Sequence, residues 1–186
     1  MAYVGEVIDN SVSGERIMFQ RTSATTGGRL LSFELRLAPG GHVPASHLHP
    51  IQEERFTILE GRMRFRLGLR SLLAGPGETV VVPPNTIHRF ANAGRGQARV
   101  RVEVRPALRM EDLLETAADL AREGRSLPNG MPSPLELALF LHEFEHEIAI
   151  PVLPPSVVRL GLAPLVGLAR RQGLDARYRV EPRRTA

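Results

Sequence analysis

The chain has 186 residues, 42% of them hydrophobic and 24% charged, and a formal net charge of +4. That is enough to bury the core of one domain, or of one domain with an appendage, at an ordinary globular composition. Cysteine is absent, which excludes disulfides and thiolate ligands. Lysine is absent too, which excludes Schiff-base chemistry through a lysine side chain.

All the basic side chains are arginines, and the pI is near 10.8. They alternate with apolar residues, as in RMRFRL and ARVRVEVR, which is the pattern of solvated strand faces. With no Trp and two Tyr there is little to stack on bases, so a nucleic-acid partner is not expected. The first residues, MAYVGEVIDNS, show neither a basic nor an apolar leader segment, so a cytoplasmic protein is expected.

In chain order, residues 4–8 and 16–21 read as short strands, followed by Ser/Thr/Gly punctuation. Over 29–37 the chain alternates, with Leu31, Phe33, Leu35 and Leu37 on one face and Ser32, Glu34 and Arg36 on the other. An Ala-Pro-Gly-Gly turn then leads into a histidine stretch, GHVPASHLHPIQEERFTILEG, over 41–61. His47 and His49 are two apart, which on a strand aims both at one point. Glu54 follows after a short turn and shares its strand face with Phe56 and Ile58. Met63, Phe65 and Leu67 alternate with arginines, residues 79–82 form a short buried strand, and His88 shares a face with Phe90. Val100, Val102 and Val104 mark a late strand. Many short alternating strands with Gly/Pro turns indicate a closed barrel or sandwich.

After Pro106 the period changes. Leu113, Leu114, Ala117, Leu120 and Ala121 recur at helical spacing over 110–123, ending at Gly124. Ser133 and Pro134 predict the cap and first turn of a second helix, stopped by Pro151, Pro154 and Pro155. A third is expected over 156–172, and an extended tail from Arg177. The chain therefore divides into a β domain over 1–106 and a helical extension over 107–186, packed on the barrel or on a partner subunit.

Two imidazoles and a carboxylate form a divalent-metal set, and His88 after the Pro-Pro-Asn turn is a fourth candidate. Gly41, five residues, His47-Leu48-His49, four residues, Glu54, six residues and Gly61 resemble the first motif of the cupins. Gly77, five residues, Pro83, Asn85, His88 and Asn92 resemble the second, with Asn85 where that family usually has glycine. Asn tolerates left-handed backbone better than most residues. The resemblance implies a mainly β cupin jelly-roll barrel holding one divalent ion per chain (Fe, Mn, Ni, Cu, Co or Zn) on His47, His49, Glu54 and His88. His42 is expected to be a loop residue at the barrel mouth, not a fifth ligand.

HEFEH at 142–146 also matches a zinc-peptidase pattern, but no third ligand follows it and coincidence is the better reading. The apolar run over 148–169 is broken by prolines, so no membrane span is expected. Its helical part is read as covering the barrel or a second subunit, with a lid or a membrane-surface contact as alternatives. The function expected is that of a metal-dependent cupin enzyme acting on a small, largely apolar molecule, of dioxygenase type. Glu54 would be catalytic, with Phe33, Phe56, Ile58, Phe65 and Phe90 against the substrate. Alternatives are a Lewis-acid isomerase or cyclase, or a binding protein without catalysis. A homodimer is expected.

Overall fold

The computed structural model describes residues 2–151 and 155–178. Nine strands come first: β1 (Val7–Asn10), β2 (Glu15–Arg21), β3 (Leu31–Leu37), β4 (Glu53–Glu60), β5 (Met63–Leu67), β6 (Arg70–Ala74), β7 (Thr79–Val82), β8 (His88–Asn92) and β9 (Ala98–Arg105). They form a six-stranded sheet in the order β1-β2-β3-β9-β4-β7 and a three-stranded sheet in the order β6-β5-β8, with antiparallel pairing throughout. Phe33, Leu35, Phe56, Ile58, Phe65, Val100 and Val102 fill the space between, each buried. The alternation indicates a closed barrel or sandwich, and this is the jelly-roll form of it that the resemblance implies.

Local expectations hold where the alternation is strong. β1 is shifted to Val7–Asn10, because Gly5 donates to the Phe19 carbonyl in a turn that occupies the earlier residues. β6 has no alternation to reveal it; it is an exposed edge strand, paired only with β5. A short helix, α1 (Ser23–Thr26), fills the Ser/Thr/Gly stretch, nucleated by a reciprocal capping box between Thr22 and Thr25. On β3 the second face is buried as well. Glu34 is only 6% exposed because Arg99 grips its carboxylate with two hydrogen bonds of 3.2 and 3.1 Å, and Arg36 adds one of 2.8 Å.

The motif glycines have separate physical reasons. Gly61 has φ +80°, and a Cβ there would lie 2.9 Å from the Ala98 Cα. Gly41 needs no unusual φ, but its Cβ would meet Leu37 at 2.8 Å and the Ala38 carbonyl at 2.9 Å. Asn85 takes φ 59°, the left-handed conformation for which Asn is a tolerable substitute for Gly.

Three longer helices follow: α2 (Met110–Arg122), α3 (Pro134–Glu143) and α4 (Pro155–Arg171). α2 buries Met110, Leu113, Leu120 and Ala121 and packs beside β1. Ser133 stands at the cap of α3 but makes no side-chain capping bond; Pro134 at the first turn does the initiating. α3 ends at Glu143, well before Pro151. Phe144 turns into the core, 1% exposed, and its carbonyl accepts from Glu147 and Ile148. The expected proline stop is thus pre-empted by tertiary packing. α4 packs on α3, buries Val166 and Ala169, and leaves Leu160 and Leu168 exposed. Arg177 lies in a 3-10 turn over Leu174–Tyr178, not in an extended tail; residues 179–186, where the rest of that tail falls, lie outside the described residues. Among the described residues no helix is long and apolar enough to cross a membrane.

Barrel and helices share one core. Gln52, fully buried, donates to the carbonyls of Pro106 (3.1 Å) and Ala107 (2.9 Å), and so ties the start of β4 to the junction with the extension.

Candidate metal centre

His47 and His49 lie in an extended segment between β3 and β4, not in a regular strand. Isolated bridges hold it: His47 exchanges both backbone bonds with His88 on β8, and Leu48 exchanges both with Ala149. Glu54 projects from β4 beside them. One ligand atom from each of His47, His49, Glu54 and His88 lies within 4.8 Å of every other, and all four residues are buried. Among the described residues no other group of three or more His, Asp or Glu could hold a metal ion.

The tautomers follow from the partners. His47 Nδ1 faces the Ala45 carbonyl at 3.1 Å, His88 Nδ1 the Thr86 carbonyl at 3.0 Å, and His49 Nδ1 the Glu147 carbonyl at 2.5 Å. A carbonyl only accepts, so each Nδ1 carries a hydrogen and each Nε2 turns its lone pair inward. His88 Nε2 lies 2.9 Å and His49 Nε2 3.2 Å from Glu54 Oε2. These three atoms are buried and lack a satisfied hydrogen bond. Lone pairs converging on a carboxylate require a positive charge between them, either a proton or a metal ion.

The electrostatics agree. Burial pushes His47 down to about 3, helped by the neighbouring His88 and His49, so it is a neutral donor at any working pH. Burial opposes charge on His49, but the Glu54 carboxylate beside it and the Glu147 carbonyl that accepts from its ring outweigh it and raise its pKa. Burial alone would raise Glu54; the adjoining His49 and His88 rings hold it well below the usual carboxylate range. The donor set, three neutral-capable imidazoles and one carboxylate with their outer nitrogens already fixed, fits a divalent ion.

The centre opens onto a cavity of about 180 Å³. Phe33, Phe56 and Phe90 line it beside His47, His49 and Glu54. Ile58 and Phe65, expected to line it too, do not; each is at most 1% exposed within the packed interior. Ile58 is two residues further along β4, about 7 Å deeper than Phe56, and the Phe65 ring is packed 5.2 Å from that of Phe56. Much of the opposite wall comes from the extension: Leu113, Leu114 and Ala117 of α2, Leu137 and Phe140 of α3, and residues 148–150. Glu15 also lines it, accepting from Ser13 Oγ at 2.6 Å, and burial raises its pKa. Sequence reasoning missed Glu15, Gln52 and Glu147. Glu15 opens β2 with nothing local to mark it, and the other two act through contacts 38 to 98 residues away in sequence. His42 bridges to Ala91 with an exposed ring and does not line the cavity.

HEFEH is split by the end of α3. His142 lies in the helix and His146 in the turn after it, and neither belongs to a possible metal group.

Residues 33–104 match the Cupin domain family. A germin-like protein subfamily T member 3 from Arabidopsis thaliana is 33% identical over 73 residues, covering 37% of this chain and 32% of that protein. The chain thus spans about a third of that curated relative. Among solved structures, an RmlC-like cupin from Shewanella frigidimarina superposes with a TM-score of 0.50 at 15% identity, covering 57% of this chain and 88% of that one. A predicted oxalate decarboxylase from Thermotoga maritima gives 0.49 at 19% identity, covering 54% and 90%. The two histidine motifs, the two facing sheets and the family match lead to one statement: residues 33–104 are a cupin domain, and a helical extension follows its barrel.

Proposed function

We propose that the protein is a metal-dependent enzyme acting on a small, largely apolar molecule held in the barrel. The observation that carries this reading is the convergence of His49 Nε2, His88 Nε2 and Glu54 Oε2, all buried and unpartnered, at the wall of an apolar cavity. A purely structural ion gains nothing from such a chamber, whereas a reaction on a desolvated substrate does. About 180 Å³ accommodates a molecule near the size of a single substituted ring. When bound, the metal would supply an open coordination position for dioxygen, or a Lewis acid for a substrate carbonyl or enolate.

The chain's own residues set the conditions. His47, His49 and His88 present fixed Nε2 donors, and Glu54 supplies the negative charge and a proton acceptor beside the cavity. Phe33, Phe56 and Phe90 exclude water and hold the ring face of the substrate. Dioxygenase-type oxidation is the finer proposal, and Lewis-acid isomerisation or cyclisation the alternative. A homodimer is also proposed. The exposed Leu160 and Leu168 on α4 and Tyr3, Val4 and Val7 at the N-terminal edge are apolar surfaces that a second copy would cover.

Elemental analysis of purified wild type and His49→Ala tests the metal, with one ion per chain expected in the first and a loss in the second. Conversion of a panel of monocyclic aromatic compounds, in air and under argon, separates oxidation from isomerisation. Wild type that stays metal-free after loading with Fe(II), Mn(II), Ni(II) and Zn(II) defeats the proposal.

A further inference from the structure

We propose that residues 147–150 of the extension form a clasp that completes the metal centre, so that docking of the clasp and binding of the metal are thermodynamically coupled. This rests on the metal-binding reading above. Two of the three histidines are oriented locally: His47 by the Ala45 carbonyl and His88 by the Thr86 carbonyl, each two residues away. His49 is not. Its Nδ1–H donates to the carbonyl of Glu147, 98 residues on, at 2.5 Å.

The clasp is itself held at two points, and Arg109, which makes the second, is anchored in turn. Leu48 and Ala149 exchange both backbone hydrogen bonds, at 3.0 and 2.9 Å, directly beside His49. The Glu147 side chain, 3% exposed, accepts from the Arg109 backbone N–H at 3.1 Å. The Arg109 guanidinium reaches the Glu143 carbonyl and lies 5.1 Å from the ring centroid of buried Phe144. The Glu147 carboxylate is therefore a positioning group: it fixes the peptide whose carbonyl fixes His49.

The same segment is a partition. Ile148, Ala149 and Ile150 line the 180 Å³ metal cavity on one side and a larger outer groove of about 610 Å³ on the other. Releasing the clasp joins the two, giving substrate and metal a route in, and at the same moment frees the His49 ring. Coupling between two events is reciprocal. Whatever factor the docked clasp adds to metal affinity, saturating metal adds to clasp closure. Loss of an outer hydrogen bond to a metal-bound histidine typically weakens binding 10- to 100-fold, so about that factor is expected in both directions.

The test uses Ni(II) as the probe, with affinity read by chelator competition. Glu147→Ala should bind Ni(II) 10- to 100-fold more weakly than wild type, and its Co(II)-loaded form should show an altered visible spectrum. Glu147→Gln, whose amide oxygen can still accept from Arg109, should stay within threefold. Ala149→Pro, which removes the N–H given to Leu48 and leaves Glu147 in place, should weaken binding as Glu147→Ala does. In unmodified protein, hydrogen exchange at Leu48 and Ala149 should slow 10- to 100-fold on saturation with Ni(II), a readout that needs no variant to fold. Wild type that binds Ni(II), with both variants within threefold and exchange unchanged by metal, overturns the clasp and leaves the metal centre standing. Wild type that binds no Ni(II) overturns both.

Discussion

Replacing Glu15 by Gln should stabilise the protein at neutral pH and do nothing at acid pH. Glu15 is half-buried at the edge of the cavity, beside Ile17, Phe33 and Leu35 in the lining. Burial raises its pKa from the ordinary 4.5, and the Ser13 hydroxyl and the nearby His42 only partly oppose this. A carboxyl whose folded pKa lies above its unfolded value binds more protons in the folded state between those two values. Stability contributed by that proton is present below 4.5 and lost as pH rises through the folded pKa. Glutamine keeps an oxygen for the Ser13 hydroxyl and carries no charge to desolvate. The expected gain is that of a typical stabilising substitution, about 0.5–2 kcal/mol at pH ~7, falling to near zero by pH ~4. Urea unfolding of both proteins at the two pH values, with a chelator present throughout so that bound metal does not contribute, measures the difference. An equal gain at both pH values would refute the reasoning, because the benefit would then come from shape and not from charge. A loss at neutral pH would show that the carboxylate is stabilised by a contact stronger than its burial.

Other substitutions read other links in the chain of causes. Gln52→Ala removes the donor to the Pro106 and Ala107 carbonyls and leaves them buried and unsatisfied; a loss of about 1–3 kcal/mol in urea unfolding is expected. Gly61→Ala forces a side chain into φ +80° against Ala98, and should lower Tm by several degrees where Gly77→Ala, with open space around its Cβ, is milder. A double His142→Ala, His146→Ala change should leave the metal content by elemental analysis unaltered, since neither residue belongs to a possible metal group; loss of an equivalent would place a second ion there. Phe56→Ala, which deletes a ring packed between Phe65 and Phe90, should lower stability by about 3–5 kcal/mol and widen the cavity toward bulkier compounds in the conversion panel.

The barrel and the four candidate ligands were readable from the sequence. A side-chain period of two, repeated through Leu31 to Leu37 and through Val100, Val102 and Val104, leaves a strand only one way to bury its apolar half, so local pattern and global fold agree. These four, His47, His49, Glu54 and His88, stood out because their spacing follows extended-backbone parity and turns whose glycines have steric reasons. Tertiary structure alone decided what lies beyond that period. Glu34 reads as a solvated residue, and it is buried because Arg99 arrives from β9. α3 ends at Glu143 because Phe144 finds a pocket, not because of the prolines downstream. Ile58 and Phe65 share the parity of the cavity residues but not their depth, and parity says which face a side chain takes, never how far along the barrel it sits. The carbonyl that orients His49 comes from Glu147, a contact spanning 98 residues. No local pattern encodes such a meeting, because the geometry that brings the extension over the barrel mouth exists only once both have folded.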